Sequence, residues 1–92
     1  MPTIQEGAVA DPLNFTITDV TDRNTLDVEG IDGYRPAKDI AASMASLMEL
    51  PSTTNYSLRD DASARMLKDE VAVGRQVDPG ARLVVIPKAH LA

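Results

Sequence analysis

The chain has 92 residues, a net charge of −5, 43% apolar and 3% aromatic residues, and no cysteine. That length holds one domain with an aliphatic core, and the missing cysteines exclude disulfides, thiolate chemistry and cysteine-bound metals. The acidic balance argues against general nucleic-acid binding, and no apolar run approaches the roughly 18 residues of a membrane helix, so a soluble, cytoplasmic protein is expected.

Residues 1–11 show no periodicity, mix Gly7 with small residues, and read as a flexible N-terminal arm. From Leu13 the pattern alternates. Leu13, Phe15 and Ile17 share one face and Asn14, Thr16 and Thr18 the other, which predicts a strand with one wet side. Thr21-Asp22-Arg23-Asn24 is a run of turn formers, after which Leu26 and Val28 resume the inward face, so the two strands should form an antiparallel hairpin ended by Gly30 and Asp32-Gly33.

Pro36 suits a first helical turn, and Ile40, Met44, Leu47 and Met48, with Ala37 one turn earlier, make one helical stripe able to cover a sheet. Pro51 should stop the helix by Leu50. No side-chain cap is visible at its start, where Arg35 would stand. Thr53–Leu58 reads as a short third strand. Residues 59–80 leave two readings open: a helical turn begun by an aspartate cap at Asp60-Asp61, or a turn leading to a brief strand ending at Leu67. Asp78-Pro79-Gly80 is a turn, and Ala81–Ile86 a strand whose continuous apolar run implies burial. The expected fold class is α+β, with a mixed sheet of four or five strands and one helix across it (β-β-α-β-β), over a domain of residues 12–87 and a flexible tail of 88–92.

Charge is uneven. Residues 1–33 hold seven acids (Glu6, Asp11, Asp19, Asp22, Asp27, Glu29, Asp32) against Arg23 alone, so a first hairpin at the domain's edge would be acidic, able to steer a basic partner or merely to aid solubility. His90 stands alone near the end, without a partner at catalytic spacing, and reads as a tail residue. The acid pairs Asp60-Asp61 and Asp69-Glu70 fit no calcium-loop spacing. The scattered glycines make no phosphate-binding loop. No nucleophile, base and orienting group can be assembled, so neither an enzyme nor a cofactor or metal is expected.

The element order, the helix position, and the run Tyr56-Ser57-Leu58, Met66-Leu67, then Val77-Asp78-Pro79-Gly80-Ala81-Arg82-Leu83-Val84-Val85 resemble the ubiquitin-like β-grasp family, over about residues 13–92. Bacterial modifier-like and YukD-like proteins are similar in style. The resemblance implies a monomer that works through protein partners. One form is a bacterial modifier attached through its C-terminus by activating or conjugating enzymes; the alternative is a non-conjugated adaptor of a specialised secretion system. Its tail would be Lys88, His90, Leu91 and Ala92, which lacks the closing glycines of ubiquitin-type modifiers. If Leu83 and Val85 face the helix, Val84 and Ile86 emerge on the other side of the sheet. With Tyr56 and Leu58 on the neighbouring strand, they are the candidate apolar partner surface, unless loop 59–77 folds over them.

Overall fold

The computed structural model describes residues 3–5, 12–51 and 53–88; of Thr3–Gln5 and Pro12 it describes the backbone. Strands β1 (Thr3–Gln5), β2 (Pro12–Asp19), β3 (Thr25–Asp32), β4 (Tyr56–Asp60), β5 (Arg65–Met66) and β6 (Arg82–Pro87) form one sheet in the order β1-β3-β2-β6-β4-β5. Helix α1 (Ala37–Leu47) crosses one face. Pairing is mixed. β2 is antiparallel to β3 and parallel to β6, and β6 is antiparallel to β4.

Strands β2–β6 with α1 are the expected five-stranded mixed sheet and crossing helix. β1 is additional. It lies within the stretch read as a flexible arm, and pairs in parallel with β3 through Thr3–Asp27, Ile4–Val28 and Gln5–Glu29. Three residues are too few to show a period of two, which is why the pattern did not reveal it.

Phe15, Ile17, Leu26, Val28, Leu58, Leu83 and Val85 pack against α1 in a single core, with Leu83 and Val85 fully enclosed on the central strand. On the helix, the buried face is Ala37, Ile40, Ala41, Met44, Ala45 and Met48. Leu47, expected in the stripe, is 47% exposed, because Ala41 and Ala45 bring the helix axis close to the sheet and turn position 47 outward.

Gly30, read as a terminator, lies inside β3 at φ 76°, where the register against β2 shifts between Leu13 and Phe15. A left-handed glycine at such a shift makes a β-bulge, so the strand bends and runs on to Asp32. The third strand begins at Tyr56, three residues later than expected. Of the two readings of 59–67, the brief strand holds: Asp60 Oδ1 accepts the Ala62 N–H and its Oδ2 the Ser63 hydroxyl, making a turn into β5. At Asp78-Pro79-Gly80 the turn closes by the Ala81 N–H on the Asp78 carbonyl (3.2 Å) with Gly80 at φ 85°.

The uncapped helix start finds its partners far along the chain. The N–H groups of Ala37 and Lys38 donate to the carbonyls of Val71 and Asp69, each at 3.1 Å, with Pro36 at the cap position. Two of the first-turn donors that a helix leaves unsatisfied are thus met by backbone from the 69–71 loop. Sequence inspection looks for a side chain beside the helix and cannot see this.

Candidate interaction surface

The face of the sheet opposite α1 is built by alternation along the central strands. Leu83, Val85, Ile17 and Leu58 point to the helix, so their neighbours Val84, Thr18 and Arg59, which pair across β2, β6 and β4, point away, followed by Met66 on β5. Val84 and Ile86 do leave the helix-facing core, as the alternation requires. They are not exposed: Val84 is 4% and Ile86 6% accessible. Tyr56 and Leu58 lie on the other side altogether, inside the helix-facing core at 7% and 0%. The expected exposed apolar patch is therefore corrected to a covered one.

What covers Val84 is charge. It lines a cleft of about 160 Å³ with Thr18, Asp22, Arg59, Asp61 and Arg82 around it. Arg82 Nη2 binds Asp22 Oδ1 at 2.9 Å, and its Nε lies 3.6 Å from Asp61 Oδ2. Arg59 Nη2 lies 3.8 Å from Asp61 Oδ1, while Arg59 Nε is enclosed without an acceptor among the described residues. The two arginines, both partly exposed, thus flank the valine in this cleft. Arg59 and Arg82 were not singled out from sequence. Their signal was available, since each stands at an outward position of its strand.

The β2–β3 turn borders this face and is held from within by Asp19. Its carboxylate accepts the Thr21 hydroxyl (3.0 Å), the Arg23 N–H (3.1 Å) and the Asn24 side-chain amide (2.8 Å). Burial pushes its pKa up, but these hydrogen bonds, that of Asn24 foremost, outweigh burial and hold the group below its ordinary value. The Thr18 hydroxyl sits between the Asn24 carbonyl and Asp22, tying the turn to the cleft.

At the far end of β6, Lys88 is doubly fixed. Its N–H donates to the Asn55 carbonyl at 2.8 Å, and its Nζ meets Asp69 Oδ2 at 2.6 Å. Asp69 also accepts the buried Ser57 hydroxyl at 2.9 Å. Burial raises its pKa, and the bonds from Lys88 and Ser57 overcome that and leave it lowered. Glu70 pairs with Lys38 at 2.9 Å, which raises the lysine's pKa. The acid pairs noted in the sequence are thus tied to lysines, arginines, hydroxyls and backbone. Among the described residues no cluster of three or more potential ligands could hold a metal ion. His90, Leu91 and Ala92 of the expected tail lie outside the described residues.

Among the described residues the exposed large apolar side chains are Val20 on the β2–β3 turn, Tyr34 before α1 and Leu47 on its outer side. Val20 lines an open groove with Leu50, Pro51, Tyr56 and Pro87. No helix among the described residues is long and apolar enough to cross a membrane.

No protein-family model and no curated protein matches this sequence. Solved structures match its shape. A chain of the toluene 4-monooxygenase HD complex with the inhibitor 4-bromobenzoate has a TM-score of 0.71 at 12% identity, covering 84% of this chain and 99% of that one. A designed protein based on ubiquitin gives 0.67 at 16% identity, over 88% and 94%. The ubiquitin of Caldiarchaeum subterraneum gives 0.65 at 20% identity, over 84% and 94%. Together with the mixed sheet and its single crossing helix, this likeness shows the fold of the chain to be a ubiquitin-like β-grasp.

Proposed function

We propose that the protein acts by association, docking a protein partner on the sheet face opposite α1, with Arg59 and Arg82 as its contacts and Asp22 and Asp61 fixing their positions. The observation that carries this reading is the layer of paired charges over Val84 on a sheet face that α1 does not cover. Two guanidinium groups held by carboxylates present an ordered fork of donors, and arginine is enriched where protein surfaces meet. The structural neighbours lend support: one is a chain within a monooxygenase complex and another a ubiquitin. A non-conjugated adaptor, of which secretion accessories in the manner of YukD-like proteins are one form, needs this surface alone.

Arg82→Glu tests the reading. The Arg82 ion pairs are solvent-exposed and worth about 1 kcal/mol or less, so the variant should fold. A partner captured by the parent chain should be lost with Arg82→Glu and retained with Ala42→Glu, on the exposed side of α1. Capture indifferent to Arg82 would refute the surface. Attachment through the tail is the narrower form of the same reading, supported by the double anchoring of Lys88 at the tail's root. Incubation with ATP and a cognate activating enzyme should then yield an adduct on the Ala92 carboxylate. Absence of the adduct would leave association as the whole activity.

A further inference from the structure

Among the described residues, Arg59 Nε is the enclosed side-chain polar atom that makes no hydrogen bond. Its Nη2 comes only to 3.8 Å of Asp61 Oδ1, outside hydrogen-bond range. Asp61 faces a second guanidinium in the same loose way, with Oδ2 3.6 Å from Arg82 Nε. Its carboxylate therefore lies between two arginines and hydrogen-bonds to neither. The other acids of the cleft are engaged. Asp22 takes the Arg82 Nη2 donor at 2.9 Å and the Thr18 hydroxyl at 3.0 Å, and Asp19 holds the β2–β3 turn through Thr21, Arg23 and Asn24. An enclosed donor without an acceptor is costly, and its presence in a folded protein calls for a partner.

On the reading that this sheet face docks a protein, we propose that Arg59 and Arg82 together read a single carboxylate of the partner, an aspartate or glutamate side chain that takes the place Asp61 occupies loosely. A planar guanidinium matches a carboxylate with two parallel charge-assisted hydrogen bonds, which neither arginine makes to Asp61. Arg59 is 38% exposed, so an acid arriving from solvent reaches it. Rotation about the side-chain bonds of Arg59 then brings Nε and Nη2 onto the two carboxylate oxygens, and the stranded donor is satisfied in the complex alone. The cleft, of about 160 Å³, has room for a carboxylate but not for a bulky group. Asp19, Asp22 and Asp61 line it as well, and their charge disfavours a dianion such as a phosphate ester.

The test follows the arginine Nε–H resonances of the full-length chain by NMR during titration with the peptide acetyl-Gly-Val-Glu-Val-Gly-amide at constant ionic strength. Peptides with glutamine or phosphoserine in place of glutamate are the comparisons. The glutamate peptide should move the Arg59 resonance saturably, the glutamine peptide should not, and the phosphoserine peptide should bind no more tightly. Asp61→Asn removes the internal competitor and should tighten glutamate-peptide binding about three- to fivefold, the range open to an exposed ion pair. Arg59→Lys keeps the charge but loses the fork, and should weaken binding about tenfold. Should Arg59→Lys not fold, Asp61→Asn carries the test, since the Asp61 side chain makes no hydrogen bond that its loss would break. No response of Arg59, equal binding of the glutamate and glutamine peptides, tighter binding of phosphoserine, or unchanged affinity in Asp61→Asn would each overturn the proposal. Partner capture lost with Arg82→Glu, together with an Arg59 that ignores the glutamate peptide, would overturn the carboxylate and leave the docking surface standing.

Discussion

Replacing Glu49 with glycine should make the protein more stable, although it removes a side chain from a helix end. Helix α1 closes with Met48 at φ −84°, followed by Glu49 at φ 57°. The Glu49 N–H donates to the Ser46 carbonyl at 3.1 Å and the Leu50 N–H to the Ala45 carbonyl at 2.9 Å, the paired bonds of a Schellman motif. That motif places one residue in the left-handed region, which costs a side chain with a Cβ about 1–2 kcal/mol. Glycine escapes this cost but loses about 0.4–1 kcal/mol through its freer unfolded chain. The charge adds to the gain. Glutamate faces the negative end of the helix dipole, no basic residue occupies the last turn, and relief at an exposed site is worth about 0.3 kcal/mol. The balance favours Glu49→Gly by about 1 kcal/mol, a rise in Tm of about 4–8 °C for a domain of this size. Urea unfolding followed by circular dichroism would measure it, with Glu49→Ala as the control that removes charge and keeps the Cβ. Glu49→Ala should gain no more than about 0.5 kcal/mol. Equal gains from alanine and glycine would show that charge alone matters, and no gain from glycine would refute the backbone argument.

Ala64→Gly should stabilise by the same mechanism at φ 57° without the charge contribution, by about 0.5 kcal/mol in the same assay. Leu58→Ala removes a fully buried side chain between β6 and the helix, and should cost about 3 kcal/mol in urea melts. Gly74→Ala would put its Cβ 3.0 Å from the Gly33 carbonyl oxygen and 3.1 Å from its Cα. Because backbone cannot yield as a side chain does, it should cost about 1–3 kcal/mol. Gly33→Ala meets first the flexible end of Leu13 at 2.9 Å and should cost less by thermal melting. Asp19 and Asp69 are both held below the ordinary carboxylate value of 3.8 in the fold. Their contribution is complete above that value and is lost as pH falls through it toward the lowered folded values, so stability should drop from about pH 5 downward. Asp69→Asn should flatten that drop.

The sequence was most readable where one period ran long enough. The alternation through Leu13, Phe15 and Ile17 and the run around Leu83 gave strands within a residue or two of those observed, and the stripe from Ala37 to Met48 gave the helix. Alternation also placed Val84 and Ile86 away from the helix. It could not say that arginines from the same and the adjacent strand would share a cleft with Val84, because that depends on cross-strand register. Tyr56 and Leu58 were assigned to the surface although their alternation with Ser57 left room for either side, and the register opposite Pro87 and Val85 turns both inward. The helix cap from residues 69–71 and the Lys88–Asp69 bond are long-range, and no local pattern encodes them.

The position of β6 also governs how the polypeptide is made. Every other strand precedes it in order of synthesis, yet β2 and β4 meet each other only through it. A growing polypeptide still inside the ribosome tunnel at residue 82 holds two half-sheets with no shared hydrogen bonds. Productive folding of the sheet is thus deferred until β6 has emerged, and until then the apolar edges of β2 and β4 depend on chaperones or speed to avoid the wrong neighbour.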